Sequence, residues 1–102
     1  MKENLESWTG PNLSFVEWAH IVVDDVRRRV LSAVAARKGS SVIIRGRDRE
    51  VTLKPDGGTY WVTFSASVAA LFVSDRRDAF TARNVAKTIA GHLDPEQSRP
   101  DR

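Results

Sequence analysis

The stretch from Ser41 to Ser65, SVIIRGRDREVTLKPDGGTYWVTFS, alternates apolar and polar residues through three consecutive runs. Such alternation places successive side chains on opposite faces of a β-strand. The residues assigned to one face are Val51, Leu53, Tyr60, Val62 and Phe64, and those assigned to the other are Thr52, Lys54, Trp61 and Thr63. The stretch therefore predicts antiparallel strands with one apolar face turned to a core and one mixed face.

Turn residues separate these runs. Gly46-Arg47-Asp48 follows the first run, and Pro55-Asp56-Gly57-Gly58 follows the second. Proline presets φ and glycine supplies positive φ, so the second segment indicates a tight hairpin. The apolar run 66–74, ASVAALFVS, fits either a fourth strand or a short buried helix, because periodicity does not separate the two in a run of this length. We favour the strand.

A helix is predicted to precede the sheet. Ser14 and Glu17 have the spacing of a capping box. Apolar residues then recur at steps of three and four, and Arg37-Lys38-Gly39 provides cations and a glycine for the helix end, which gives about 24 helical residues. The stripe consists of Phe15, Ala19, Val22, Val26, Val30, Ala33 and Val34. Ile21 and Leu31 lie off this stripe and are candidates for a homodimer contact.

A second helix is predicted to follow the sheet, with Thr81 as N-cap and Phe80 with Val85 as a hydrophobic staple. Asp94-Pro95 ends it. The predicted fold class is therefore α+β: one domain of order α-β-β-β-(β)-α over residues 13–94, with an antiparallel sheet and both helices packed on one face. We expect a flexible arm over 1–12 and a disordered tail over 95–102.

Composition limits the chemistry. The 102 residues include no cysteine and two histidines, so thiolate chemistry is excluded, and we expect neither a metal site nor a cofactor. No apolar run reaches the roughly 20 residues of a membrane span, and the start MKENLESW has no signal-peptide core, so we expect a cytoplasmic protein. The net charge of +3 is modest for a nucleic-acid binder.

The charged helical residues favour structural roles. Asp24 and Asp25 precede Arg28 and Arg29 by four residues, which is the favourable spacing for ion pairs within a helix. His20 has the same relation to Asp24, but no nucleophile motif accompanies it. His92 lies in the last helical turn, where a cation would complement the helix dipole. We therefore predict no catalytic residue and no enzyme.

The mixed face of the sheet is the predicted binding site. Its residues, together with the charges near the first turn, are Arg45, Arg47, Arg49, Lys54, Trp61 and Thr63. Arginine and tryptophan are common anchors of protein interfaces, and cations around an aromatic ring also suit single-stranded nucleic acid. In a third interpretation, Trp61 packs on the N-terminal arm and the arginines are solvated.

These patterns favour a small intracellular protein-binding module, such as an adaptor, an inhibitor, an immunity-type or a chaperone-like protein. It would act through the open face of the sheet or as a homodimer, without a membrane. The alternative is a nucleic-acid-binding protein that uses the same face. A small enzyme of unknown reaction comes third.

Overall fold

The structure, a computed structural model, describes residues 11–65, 67 and 69–94. Two helices flank five strands along the chain: α1 (Phe15–Arg29), β1 (Val34–Lys38), β2 (Ser41–Arg45), β3 (Glu50–Asp56), β4 (Thr59–Phe64), β5 (Ala70–Val73) and α2 (Ala79–Leu93). The α+β class with an antiparallel sheet is confirmed. Residues 1–10 and 95–102, which make up most of the predicted arm and all of the predicted tail, lie outside the described residues.

The sheet is a meander of order β1-β2-β3-β4-β5, in which every neighbouring pair is antiparallel. Gly39 and Gly57 open the two-residue turns after β1 and β3 with φ of 63° and 62°, a conformation that favours glycine. Pro55 lies in β3 opposite Tyr60, beyond the last pairing of β3 with β2 at Leu53. Its missing N–H therefore interrupts no ladder to β2.

The predicted first helix was too long. α1 ends at Arg29, Val30 is its C-cap, and the chain enters β1 four residues later. Val30 and Ala33 satisfied the helical spacing because both are buried, but they reach the core from the helix end and the following turn. Gly39 was wrongly predicted to end the helix because a helix C-terminus and a two-residue hairpin both use a glycine with positive φ.

The predicted N-cap of the second helix was also wrong. Asp78 caps α2, accepting from the N–H of Thr81 at 3.0 Å, while the Thr81 hydroxyl accepts from the N–H of Asp78 at 3.2 Å. Both residue types cap helices, so the pattern fits either start. Because the helix begins earlier, Phe80 lies within α2 and is 38% exposed, which leaves no staple of the predicted kind.

Both helices pack on the same face of the sheet, called here the covered face. Trp18, Val22 and Val26 of α1 are fully buried against the strands. An aromatic group joins α1 to β4, because the ring centroids of Trp18 and Phe15 lie 5.2 and 5.3 Å from that of Tyr60. The covered face also buries Ile44, Val51, Leu53, Val62 and Phe64 from the sheet and Ala82, Val85, Ala86, Ile89, Ala90 and Leu93 from α2.

The last strand resolves the ambiguous run. Residues 70–73 form β5, so the strand interpretation of 66–74 is confirmed for this part, and residues 66 and 68 lie outside the described residues. Beyond β5, Arg77 connects the residues just before α1 to the end of the sheet. Its N–H donates to Asn12 Oδ1 at 2.7 Å, and its carbonyl accepts from the N–H of Leu13 at 2.6 Å. Asn12, the last residue assigned to the arm, therefore contacts the segment that precedes α2.

Candidate functional site: the open face of the sheet

The face opposite the helices is called here the open face. Strand alternation and register assign to it Val34, Ala36, Lys38, Ser41, Ile43, Arg45, Glu50, Thr52, Lys54, Asp56, Thr59, Trp61, Thr63, Ala70 and Phe72. No described helix packs against these side chains. The predicted division of β3 and β4 into inward and outward residues is confirmed.

An aromatic pair forms the main feature of the open face. Trp61 on β4 and Phe72 on β5 are directly opposed, with ring centroids 5.2 Å apart and planes at 40°. They are 37% and 63% exposed. Lys54 of β3 is the opposing residue on the other side of Trp61. The register thus produces a row of one cation and two aromatic rings across three strands.

Phe72 was not predicted from the sequence as a site residue. Leu71, Phe72 and Val73 are all apolar, so alternation along β5 does not show which of them points away from the core. The pairing of Trp61 with Phe72 settles the direction. Aligning β5 against β4 would have indicated Phe72, because directly opposed residues of paired strands share a face.

An uncharged strip runs beside the aromatic pair through all five strands. Ile43 is opposed to Ala36 and Thr52, and Thr63 is opposed to Thr52 and Ala70. None of these side chains carries a charge, and none is larger than isoleucine. The strip therefore offers a flat surface of methyl and hydroxyl groups, in which Thr63 is one of the predicted site residues.

The four predicted cations separate into different places. Arg45 lies on the open face and its Nε contacts Glu50 Oε1, its cross-strand partner, at 3.2 Å. Arg47 is exposed in the turn between β2 and β3. Arg49 Nη1 donates to the carbonyl oxygen of His92 at 3.0 Å, at the C-terminus of α2. Lys54 remains beside Trp61 and has no ion pair among the residues that the structure describes.

His92 takes a different role from the predicted one. Burial of the imidazole and the nearby Arg49 guanidinium lower the pKa of His92 below its usual 6.5, and a hydrogen bond with the backbone of Ser65 acts in the opposite direction. The neutral imidazole packs edge-on against Phe64, with centroids 5.1 Å apart. Arg49 therefore supplies the cation expected at this helix end.

The other charged candidates are structural. Asp24 pairs with Arg28 at 2.8 Å and Asp25 with Arg29 at 3.2 Å, as the helical spacing predicted. Within the described residues, no group of three or more histidine, cysteine or acidic side chains is placed to hold a metal ion. Neither described helix has the length and apolar character needed to cross a membrane.

The two predicted dimer contacts differ in exposure. Ile21 is half-buried and packs against the core, which leaves little of it for a partner. Leu31, in the turn after α1, is 81% exposed. Neither residue lies on the open face.

Comparison of the chain with family models, with curated proteins and with solved structures finds no match.

Proposed function

We propose that this protein is a binding module whose open face receives the surface of another protein. The observation that carries the proposal is the exposed Trp61–Phe72 pair on a sheet face that no described element covers. Interface cores are enriched in aromatic residues and depleted of charge; the pair supplies the aromatic residues, and the strip beside it carries no charge.

The magnitude of burial explains why the strip matters as well as the pair. Aromatic side chains bury 150–250 Å² each, so covering the exposed parts of Trp61 and Phe72 removes roughly 200 Å² from water. At about 25 cal/mol per Å² this contributes roughly 5 kcal/mol, which only matches the lower estimates of the entropic cost of association. A stable complex therefore also needs contacts along Ile43, Thr52 and Thr63.

The open face suits such a partner because it is already formed. Its residues stand on hydrogen-bonded strands with defined cross-strand partners, so little backbone ordering is required on binding. Adaptors, inhibitors, immunity-type proteins and chaperone-like proteins all work by such stoichiometric surface burial. No catalytic step is required of the open face in this proposal.

A nucleic-acid partner is the second candidate, and the position of Lys54 opposite Trp61 favours it. The two rings would stack on bases and the ammonium would contact a phosphate. However, Arg45 is paired with Glu50 and Arg49 with the end of α2, so few cations remain on this face. Each phosphate contact adds only about one to the slope of log affinity against log salt concentration. With few contacts, affinity for nucleic acid would therefore fall only weakly as salt is added.

The test places a photo-crosslinking amino acid at Thr63 on the open face or, as a control, at exposed Arg83 on α2. In cells of the source organism, the Thr63 position should give a defined protein adduct that survives nuclease treatment and is absent from the Arg83 sample. An adduct that disappears with nuclease favours the nucleic-acid candidate. Equal labelling from both positions, or none, contradicts the proposal.

Affinity for the purified partner then tests the aromatic pair. Trp61→Ala and Phe72→Ala should each weaken binding by at least about thirtyfold, which corresponds to 2 kcal/mol for an anchor residue. Phe80→Ala is the matched control, because Phe80 is 38% exposed on α2, away from the open face. Titration calorimetry of the three variants measures the difference, and equal effects would rule out the open face as the interface.

A further inference from the structure

A second surface lies at the sheet edge, where α1 and β1 leave a groove of about 220 Å³ on the covered side. We call it the edge groove. It is lined by Phe15, Val16, Ala19, His20 and Val23 of α1, by Ala35, Ala36 and Arg37 of β1, and by Val42 of β2. It continues into a depression of about 580 Å³ that reaches Arg27 and Leu31. Because β1 is an edge strand, the groove is open along one side.

Helix α1 has a second stripe beside the one that fills the core. Trp18, Val22 and Val26 are fully buried, whereas Val16, His20, Val23 and Arg27 recur at steps of three and four residues beside the groove. Val16 is 59% exposed although it is apolar. Val23 also packs against the edge of the core, so this second stripe borders both the core and the groove.

Among the residues that the structure describes, no strand pairs with the outer edge of β1 at the same place. Lys38 and Ser41 flank the two-residue turn, so they form a hydrogen-bonded pair, and such pairs alternate along an antiparallel ladder. The N–H and C=O groups of Ala35 and Arg37 consequently point away from β2, towards the open edge. The side chains of these two residues line the groove, so edge hydrogen bonds and side-chain contacts occur together.

The charge along the groove is positive. Arg37 lines the edge groove itself, and Arg27, Arg28 and Asp24 line the adjoining depression, where Arg28 pairs with Asp24 at 2.8 Å. Arg27 and Arg37 have no ion pair among the described residues. A guanidinium in this situation favours a carboxylate, with which it can form two parallel hydrogen bonds.

We propose that the edge groove binds an extended, acidic segment of another protein as a sixth strand on β1. Side chains on one face of a strand are two residues apart, so an apolar residue of the segment would enter the groove beside Ala35 and Val23, and a carboxylate two positions away would reach Arg37. The backbone groups of Ala35 and Arg37 would supply the strand pairing. This binding does not depend on the open face.

The sequence of β1 argues against a second copy of this chain as the occupant. β1 reads VAARK and carries two cations and no carboxylate. Pairing β1 with another β1 would therefore leave Arg37 without an anionic partner on either copy.

The test exposes the purified full chain to a phage-displayed library of random heptapeptides. Enriched sequences should carry an aspartate or glutamate two positions from an apolar residue. The synthetic consensus peptide should bind Arg37→Glu at least about tenfold more weakly than the unaltered protein, since tenfold is 1.4 kcal/mol, slightly less than the roughly 1.5–3 kcal/mol of one hydrogen bond to a charged group. Exposed Arg83→Glu is the matched control and should keep full affinity.

A charge exchange makes the result specific. A peptide with lysine in place of its acidic residue should bind Arg37→Glu better than it binds the unaltered protein. Failure of the library to enrich any peptide, enrichment of peptides without an acidic residue, or equal binding to the unaltered protein and to Arg37→Glu would each overturn the proposal. Arg37 is exposed, so the variant should unfold at the same denaturant concentration, which circular dichroism verifies.

A last readout separates this site from the open face. The amide protons of Ala35 and Arg37 should exchange more slowly when the peptide is bound, and the indole N–H resonance of Trp61 should not move. Trp61→Ala should leave peptide affinity unchanged, so failure at one surface does not decide the other. A shift of the Trp61 resonance without protection of Ala35 and Arg37 would place the peptide elsewhere and overturn the assignment.

Discussion

The two faces of the sheet are built from the same strands but have opposite environments. Val62 and Thr63 are adjacent in β4, yet Val62 is fully buried under the helices and Thr63 is exposed. The two tryptophans of the described chain repeat this contrast: Trp18 is 0% exposed against the covered face, and Trp61 is 37% exposed on the open face. Stability should therefore depend on one face and recognition on the other.

The largest expected effect comes from the two tryptophans. Trp18→Ala should lower the free energy of unfolding by about 3–5 kcal/mol, because it removes a fully buried aromatic side chain and leaves a cavity. Trp61→Ala should cost about 1 kcal/mol, chiefly through its cross-strand contact with Phe72. Urea denaturation of both variants measures the difference. Similar losses would show that the open face contributes to the core.

Two neighbouring substitutions of nearly equal volume sharpen the contrast. Val62→Thr buries a hydroxyl group in an apolar environment and should destabilise the protein by about 1–3 kcal/mol. Thr63→Val, one residue along, should change stability by less than about 0.5 kcal/mol because the site is exposed. The unfolding midpoints of the two variants test this directly. A larger loss from Thr63→Val would mean that the face assignments are reversed.

The N-cap of α2 gives an intermediate effect. Asp78→Ala removes the acceptor of the Thr81 N–H and should cost about 1 kcal/mol, up to 2 kcal/mol. Asp78→Asn keeps a capping oxygen and should lose much less. Thermal unfolding followed by circular dichroism distinguishes them. Equal losses from both variants would indicate that the charge of Asp78, and not its capping bond, is what matters.

The smallest effect concerns pH. The pKa of His92 lies below 6.5 in the folded protein, so the unfolded chain binds more protons as pH falls through 6.5. The stabilisation associated with neutral His92 is present above pH 6.5 and is lost as pH falls towards and below the folded-state pKa. NMR titration should show the pKa of His92 rising in Arg49→Ala, because a positive charge has been removed. An unchanged pKa would mean that burial alone, without Arg49, lowers the pKa of His92.

Much of the sheet was predictable because strand alternation is a local property. Strands β3 and β4 alternate apolar with polar or outward-facing residues, which predicted their faces and placed Trp61 and Thr63 outside. Register between strands is not local, and this is why Phe72 was missed: its position follows only from pairing with Trp61. Arg49 was misplaced for another reason, because alternation does not apply in a turn.

The end of α1 could not be predicted because two structures satisfy the same spacing. Val30 and Ala33 reach the core whether the helix continues or turns back, and Gly39 suits both a helix end and a hairpin. The edge groove could be inferred only once the end of α1 was known. As long as residues 34–38 were read as helix, Val16 and Val23 had no strand beside them and no groove could be inferred.

The meander has a consequence for synthesis on the ribosome. Its strands join only to their neighbours in sequence, so each hairpin can close as soon as it emerges. Helix α2 follows all the described strands in the chain, so it leaves the ribosome after the strands that it covers. Until α2 has left the ribosome and packed, the covered face lacks the residues that this helix contributes, and the nascent chain is more prone to aggregation.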